Sequence, residues 1–181
     1  MMSLFPEAQQ LHSAHYNERP TAEVSLLVIH NISLPPRYYG GHYIEDLFLG
    51  RLDPDVHPFF AHIDQLQVSA HLCIKRNGQV VQFVPFDKRA WHAGQSSFQG
   101  RSQCNDYSIG IELEGCDDHP YTEAQYQALV SVTHYLQAHY PAITLGRIVG
   151  HSDIAFGRKT DPGASFDWGR YRSAIHLSHD E

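Results

Sequence analysis

Runs of branched apolar residues, broken by turn formers, set the rhythm of this chain, and two of them read as buried strands. VSLLVIHN (24–31) is almost continuously apolar up to its polar end, as expected of a strand covered on both faces. YSIGIELEG (107–115) alternates instead, with Ile109 and Ile111 on one face and Ser108, Gly110 and Glu112 on the other. Between them, SAHLCIKRNGQVVQFVPF (69–86) holds two β-rich runs separated by Asn77-Gly78, the strongest short-range signal for a hairpin. The period then changes. From Thr122 to about His139, the residues Tyr126, Leu129, Val130, Thr133, Leu136 and Tyr140 recur at helical spacing, and Thr122 with Gln125 occupies capping-box positions. HYIEDLFLG (42–50) predicts a short helix stopping at Gly50, GRIVGH (146–151) a brief strand and FDWGRYRSAI (166–175) a terminal helix. Residues 88–106 and 150–163 read as loops, the first long and glycine-punctuated, which inside a compact domain signals function. Residues 51–67 show no assignable pattern.

An antiparallel hairpin among alternating strands and helices implies an α/β fold, with a mixed central β-sheet flanked by helices. At 181 residues, 42% of them hydrophobic, the chain suits a single well-cored domain. We expect an N-terminal arm over residues 1–22, lying over a domain that spans 23–178. A formal net charge of −7, with acidic and basic residues interspersed, disfavours nucleic acid and an anionic membrane surface as partners. No run has the length to span a bilayer and the first residues lack a signal-peptide core, so the expected location is cytoplasmic. Cys73, Cys104 and Cys116 form no CxxC pair and read as buried free thiols.

Fourteen histidines turn attention to metal and acid–base chemistry. Hydrolytic zinc sites use three protein ligands and leave a fourth position for water. His30, at the end of a buried strand, and His151 and Asp161, on either side of one turn-rich loop, are the candidates. Each also has an ordinary reading, since an aspartate before proline is commonly a turn residue. Such a site needs a carboxylate to move protons and a cation to hold an oxyanion. Glu112 is the better carboxylate, but Glu114 shares its face. Lys159 is the better cation, but Arg158 adjoins it. Of the remaining histidines, His71 suits support of the sheet or site and His92 suits substrate contact. His57 suits a structural role, while His12, His15, His176 and His179 read as solvated.

Taken together and in order, VIHNISLPP, VSAHLCIKRNGQVVQFVPFDKRAWHAG, CNDYSIGIELEG and GHSDIAFGRKTDPGASFDW resemble the AmpD-type 1,6-anhydro-N-acetylmuramoyl-L-alanine amidases. These belong to the zinc amidases, whose fold is shared with phage lysozyme-type amidases and peptidoglycan recognition proteins. The resemblance runs from about Val24 through the final helix. It implies one zinc ion per chain on His30, His151 and Asp161, with Glu112 as catalytic acid/base and Lys159 as oxyanion stabiliser. It also implies a substrate wall built from Asn31 and the segment Ala90, Trp91, His92 and Ala93. The implied partner is a small muropeptide, cleaved between anhydromuramic acid and L-alanine by a monomer during peptidoglycan recycling. The chain departs from its relatives at Gln67 and Gln103, where arginine is usual, so grip on stem-peptide carboxylates falls to Arg101, Arg37 or neutral contacts. Phe156 stands where proline or a small turn former is usual. Two rival readings share the fold: a non-catalytic peptidoglycan-binding module, which would lack ligands, and an amidase acting on intact cell wall.

Overall fold

A computed structural model describes residues 3–177. In chain order the strands are β1 (Gln9–Gln10), β2 (Tyr16–Glu18), β3 (Leu26–Ile32), β4 (Leu72–Ile74), β5 (Val80–Gln82), β6 (Lys88–Ala90), β7 (Ser97–Phe98), β8 (Arg101–Ser102), β9 (Ser108–Glu114) and β10 (Ile148–Gly150). The helices are α1 (Tyr43–Phe48), α2 (Glu123–His139), α3 (His151–Ile154) and α4 (Trp168–Leu177). Six strands form the central sheet in the order β1-β5-β4-β9-β3-β10. Only β4 and β5 pair antiparallel, across the Asn77-Gly78 turn, so the sheet is mixed. Gly78 is required there: its φ is +85° and a Cβ would stand 2.9 Å from the carbonyl oxygen of Ala124.

Both faces of the sheet are covered, which is why β3 and β9 carry so little exposed surface. Leu27, Ile29, Ile109, Ile111 and Leu113 point into a core shared with Leu129, Val132 and Leu136 of α2 and with Tyr171 and Ile175 of α4. Val132 is fully buried, whereas Val130, expected on the inner face, packs at its edge. The capping box forms: Thr122 Oγ1 accepts from the Gln125 N–H at 3.1 Å, and Gln125 Oε1 accepts from the Thr122 N–H at 3.1 Å. Gln125 Nε2 also donates to the carbonyls of Ile74 and Glu114, fastening the start of α2 to β4 and β9. On the opposite face, Leu26 and Val28 of β3 meet Tyr107 and Ile154, while Cys73 and Val81 meet α1.

Residues expected as an overlying arm instead contribute the edge strand β1 and the strand β2, which pairs with β6. Phe5 enters the core, and the Arg19 guanidinium donates to the carbonyls of Phe86, Asn105, Asp106 and Ser108. Burial lowers the Arg19 pKa to about 10. The loop expected over 88–106 holds three short strands, β6 to β8, and the stretch 150–163 opens with the single turn α3. His179 and the domain end at 178 lie outside the described residues. Among the described residues no helix is long and apolar enough to cross a membrane.

Candidate metal centre and active-site cleft

Strand order builds the site. β3 lies between β9 and β10, so His30 stands opposite Glu112 in register, and His151 emerges immediately after β10. The loop after α3 then folds back, with the Ser152 N–H donating to the Asp161 carbonyl at 3.0 Å. Three ligand atoms converge as a result. His30 Nδ1 is 3.0 Å from His151 Nδ1 and 3.1 Å from Asp161 Oδ2, and His151 Nδ1 is 3.2 Å from that same oxygen. On the far side of the His151 ring, Nε2 meets the Ala93 carbonyl at 2.9 Å. A carbonyl only accepts, so Nε2 carries the proton and Nδ1 turns a lone pair toward the carboxylate. Two acceptors held face to face call for a cation between them. Zinc bonded at about 2.0–2.2 Å to nitrogen and oxygen spaces tetrahedral neighbours by roughly 3.3–3.5 Å, close to the observed triangle.

Protonation suits the same task. Desolvation by burial lowers the His30 pKa to about 4, against the opposing hydrogen bond of Asp161. Burial pushes the Asp161 carboxyl up, but the close contacts with the His151 and His30 rings outweigh it and hold the group well below the usual carboxylate range. At neutral pH His30 is therefore a neutral imidazole and Asp161 an ionised carboxylate. Glu112 behaves oppositely: burial first, and the nearby Asp161 charge second, raise its pKa well above the ordinary value, while Lys159 opposes them. Its Oε2 is buried without a hydrogen-bond partner, which leaves the carboxyl group free to exchange a proton.

The same environment separates the rivals. Glu114 is consumed by structure, accepting from the backbone N–H groups of Gly40 and Arg76 at 2.7 and 2.9 Å. Arg158 donates to the carbonyls of Ala93 and Gln95 at 2.7 and 2.8 Å, whereas the Lys159 ammonium lines the cleft with no hydrogen-bonded partner among the described residues. Asp153 accepts from the Gly150 N–H at 2.8 Å and caps α3.

Residues 20–164 match the family Amidase_2, N-acetylmuramoyl-L-alanine amidase. The chain belongs to that family. It is 60% identical over 173 residues to the 1,6-anhydro-N-acetylmuramyl-L-alanine amidase AmpD of Salmonella typhimurium strain SL1344, covering 95% of this chain and 92% of that one. AmpD of Escherichia coli strain K12 is 58% identical over 169 residues, covering 93% and 92%. The crystal structure of a Se-Met AmpD derivative aligns with a TM-score of 0.94 at 56% identity, over 97% of this chain and 98% of that one. The E. coli amidase AmiD, in complex with anhydro-N-acetylmuramic acid-L-Ala-D-gamma-Glu-L-Lys, aligns with a TM-score of 0.61 at 31% identity, over 87% and 60%.

The amidase cleft encloses about 760 Å³ around the triad, a volume suited to a small organic ligand. Its lining combines polar residues, among them Asn31, Asp117, Lys159 and Thr160, with apolar ones, among them Leu34, Phe48, Phe59, Leu66, Val68 and Trp91. Two of these apolar residues, Phe59 and Leu66, come from the stretch 51–67, which has no assignable sequence pattern. Asn31 lines the cleft while its Nδ2 donates to Asp117 Oδ1 and the Pro162 carbonyl, bracing the turn that carries Asp161. Trp91 lines it too, stacked on His15 at 6.2 Å and donating from Nε1 to Asn17. His15 is thus half-buried under Trp91 and not freely solvated.

Three expected substrate contacts do not reach the cleft. Ala90 and Ala93 are fully buried and have no side-chain surface to offer. Arg101 lies elsewhere, bound to Glu23 at 2.8 Å with its guanidinium 3.9 Å above the Tyr107 ring. Arg37, by contrast, does line the cleft, paired with Asp118 at 2.7 Å. Gln67 is exposed between the cleft residues Leu66 and Val68, and Gln103 is exposed at a φ of +56° away from the lining. His57 is structural, accepting from the Phe59 N–H at 3.1 Å. Cys116 is half-buried at the cleft, unlike Cys73 and Cys104, which are buried. Phe156 is 97% exposed, and nothing in the structure explains an aromatic residue there.

Proposed function

We propose that this amidase is a zinc enzyme that hydrolyses the amide between 1,6-anhydro-N-acetylmuramic acid and L-alanine of muropeptides, in peptidoglycan recycling. The convergence of His30, His151 and Asp161 beside an unpartnered Glu112 carries the reading, and the names of its AmpD relatives supply the substrate. The three residues would hold one zinc ion per chain, which supplies Lewis acidity that acidifies water and polarises the scissile carbonyl. Glu112 takes a proton from the attacking water and returns it to the alanine nitrogen, because an unprotonated amine leaves poorly. Lys159 places its ammonium near the carbonyl oxygen as negative charge develops there. Asn31 and Trp91, both in the cleft lining, orient the substrate. The ligands and catalytic groups all lie in the stretch from residue 23 onward, while earlier residues complete its sheet and core; their place on one chain suits a monomer. A soluble muropeptide substrate suits a cytoplasmic location.

The test is incubation of anhydro-muropeptide with the protein, with and without a chelator, and mass analysis of the products. Release of free peptide and anhydro sugar that stops on chelation and returns with zinc is expected. Binding without turnover would favour the recognition-module reading, and turnover unaffected by chelation would remove the metal from the mechanism. Faster release from insoluble sacculi than from soluble muropeptide would transfer the enzyme to the intact wall.

A further inference from the structure

The segment Trp91-His92-Ala93 resembles a substrate wall in sequence, and His92 lines the cleft, but both of its ring nitrogens are engaged within the protein. His92 Nδ1 lies 2.9 Å from His30 Nε2, and His92 Nε2 lies 3.1 Å from Ser108 Oγ. The ring stands edge-on to that of His30, with centroids 5.0 Å apart. Room for it exists only because residue 110 is glycine: a Cβ there would come within 2.5 Å of His92 Cγ and Nδ1. The neighbouring residue supplies the matching contact on the other ligand, since the Ala93 carbonyl accepts from His151 Nε2 at 2.9 Å. One side chain pins both. Asn105 Oδ1 accepts from the backbone N–H of His92 at 3.1 Å and of Ala93 at 2.8 Å. Arg158 adds a donor to the Ala93 carbonyl at 2.7 Å.

We infer that His92 and Ala93, held by Asn105, form a bracket that orients both histidine ligands, with His92 a positioning residue for His30. The inference rests on the metal reading proposed above. Proton placement follows from one requirement. For His30 to present a lone pair at Nδ1, its Nε2 carries the proton, which His92 Nδ1 accepts; the His92 proton then sits on Nε2 and is donated to Ser108 Oγ. The chain Ser108–His92–His30 thereby fixes the tautomer and ring angle of one ligand, as the Ala93 carbonyl does for the other. A side chain that fills the ring's place without an acceptor would leave His30 Nε2–H buried and unpaired, and the ring free to turn.

Metal affinity is the readout, measured by competing a chromogenic chelator for zinc against the metal-free protein. His92→Phe keeps the ring's bulk and removes its nitrogens; zinc affinity should fall by about 10–100-fold, the usual effect of losing such a partner. His92→Asn returns an acceptor near the Nδ1 position and should recover most of the affinity. A His92→Phe protein that binds zinc like wild type would overturn the bracket while leaving the metal site intact, whereas a wild-type protein that binds no zinc would overturn the metal reading itself. Should His92→Phe not fold, Ser108→Ala tests the relay from its far end. Weaker zinc binding supports it and unchanged binding overturns it.

Discussion

Replacing Glu112 by glutamine should remove activity and add stability at once. The carboxyl group sits between His30 and Cys73 on neighbouring strands, 9% exposed, with Oε2 lacking any partner. Its folded pKa lies well above the ordinary value of 4.5. Below that ordinary value both folded and unfolded chains carry the proton, and nothing is lost. As pH rises towards the folded pKa, the unfolded chain ionises more readily, and stability falls through that window. Above the window the folded protein holds a buried, incompletely paired charge. An unsatisfied buried polar group costs about 1–3 kcal/mol, and more when charged. Glu112→Gln has nearly the same shape and no charge, so the metal-free variant should gain about 1–3 kcal/mol above neutral pH. For a chain of this size, that raises Tm by about 2–4 °C per kcal/mol. The gain should shrink to nothing in acid, where the wild-type carboxyl is protonated. Turnover should move the other way, with kcat falling about 10²–10⁴-fold for loss of a general acid–base, or about 2.7–5.4 kcal/mol at 1.36 kcal/mol per decade. Thermal melts of chelator-treated protein across pH, beside steady-state kinetics of the zinc-loaded form, read both effects. A near-normal kcat would refute the proton-transfer role. A Tm that does not rise above neutral pH would refute the claim that the buried carboxylate is strained by its surroundings.

Lys159→Met should lower kcat by about 10²–10³-fold, the loss seen when an oxyanion donor is removed, with zinc content unchanged by metal analysis; a change in zinc content instead would make it part of the metal site. Arg101→Ala should leave KM for muropeptide where it is and change stability by less than about 1 kcal/mol, since its pair with Glu23 is exposed; a raised KM would return it to the substrate path. Gly163→Ala should sharply lower Tm or prevent folding, because φ is +81° and the new Cβ would stand 2.1 Å from Asp117 Cα, backbone that cannot swing aside. A Tm equal to wild type in that variant would mean the turn carrying Asp161 is looser than its packing indicates.

Local physics wrote much of the fold into the sequence. The β3 run, the Asn77-Gly78 turn and the Thr122–Gln125 box each depend on residues within a few positions of one another, so periodicity and turn chemistry suffice to read them. The catalytic candidates were legible for a different reason: four ordered blocks resemble a known amidase family, and that resemblance, not spacing, separated Glu112 from Glu114 and Lys159 from Arg158. In the fold, Glu114 is engaged by the N–H groups of Gly40 and Arg76, and Arg158 by the carbonyls of Ala93 and Gln95.

Tertiary structure alone decided what each side chain faces. His30 and His151 are 121 positions apart and meet because β3 and β10 pair in parallel, an adjacency set by burying both faces of one sheet. Arg101 looked available as a free cation until the fold brought Glu23 against it. His92 looked like a plain substrate contact until the gap over Gly110 admitted its ring against His30. Such contacts join residues that share no local pattern, and their strength comes from excluded water and fixed geometry, neither of which exists before the chain has closed on itself.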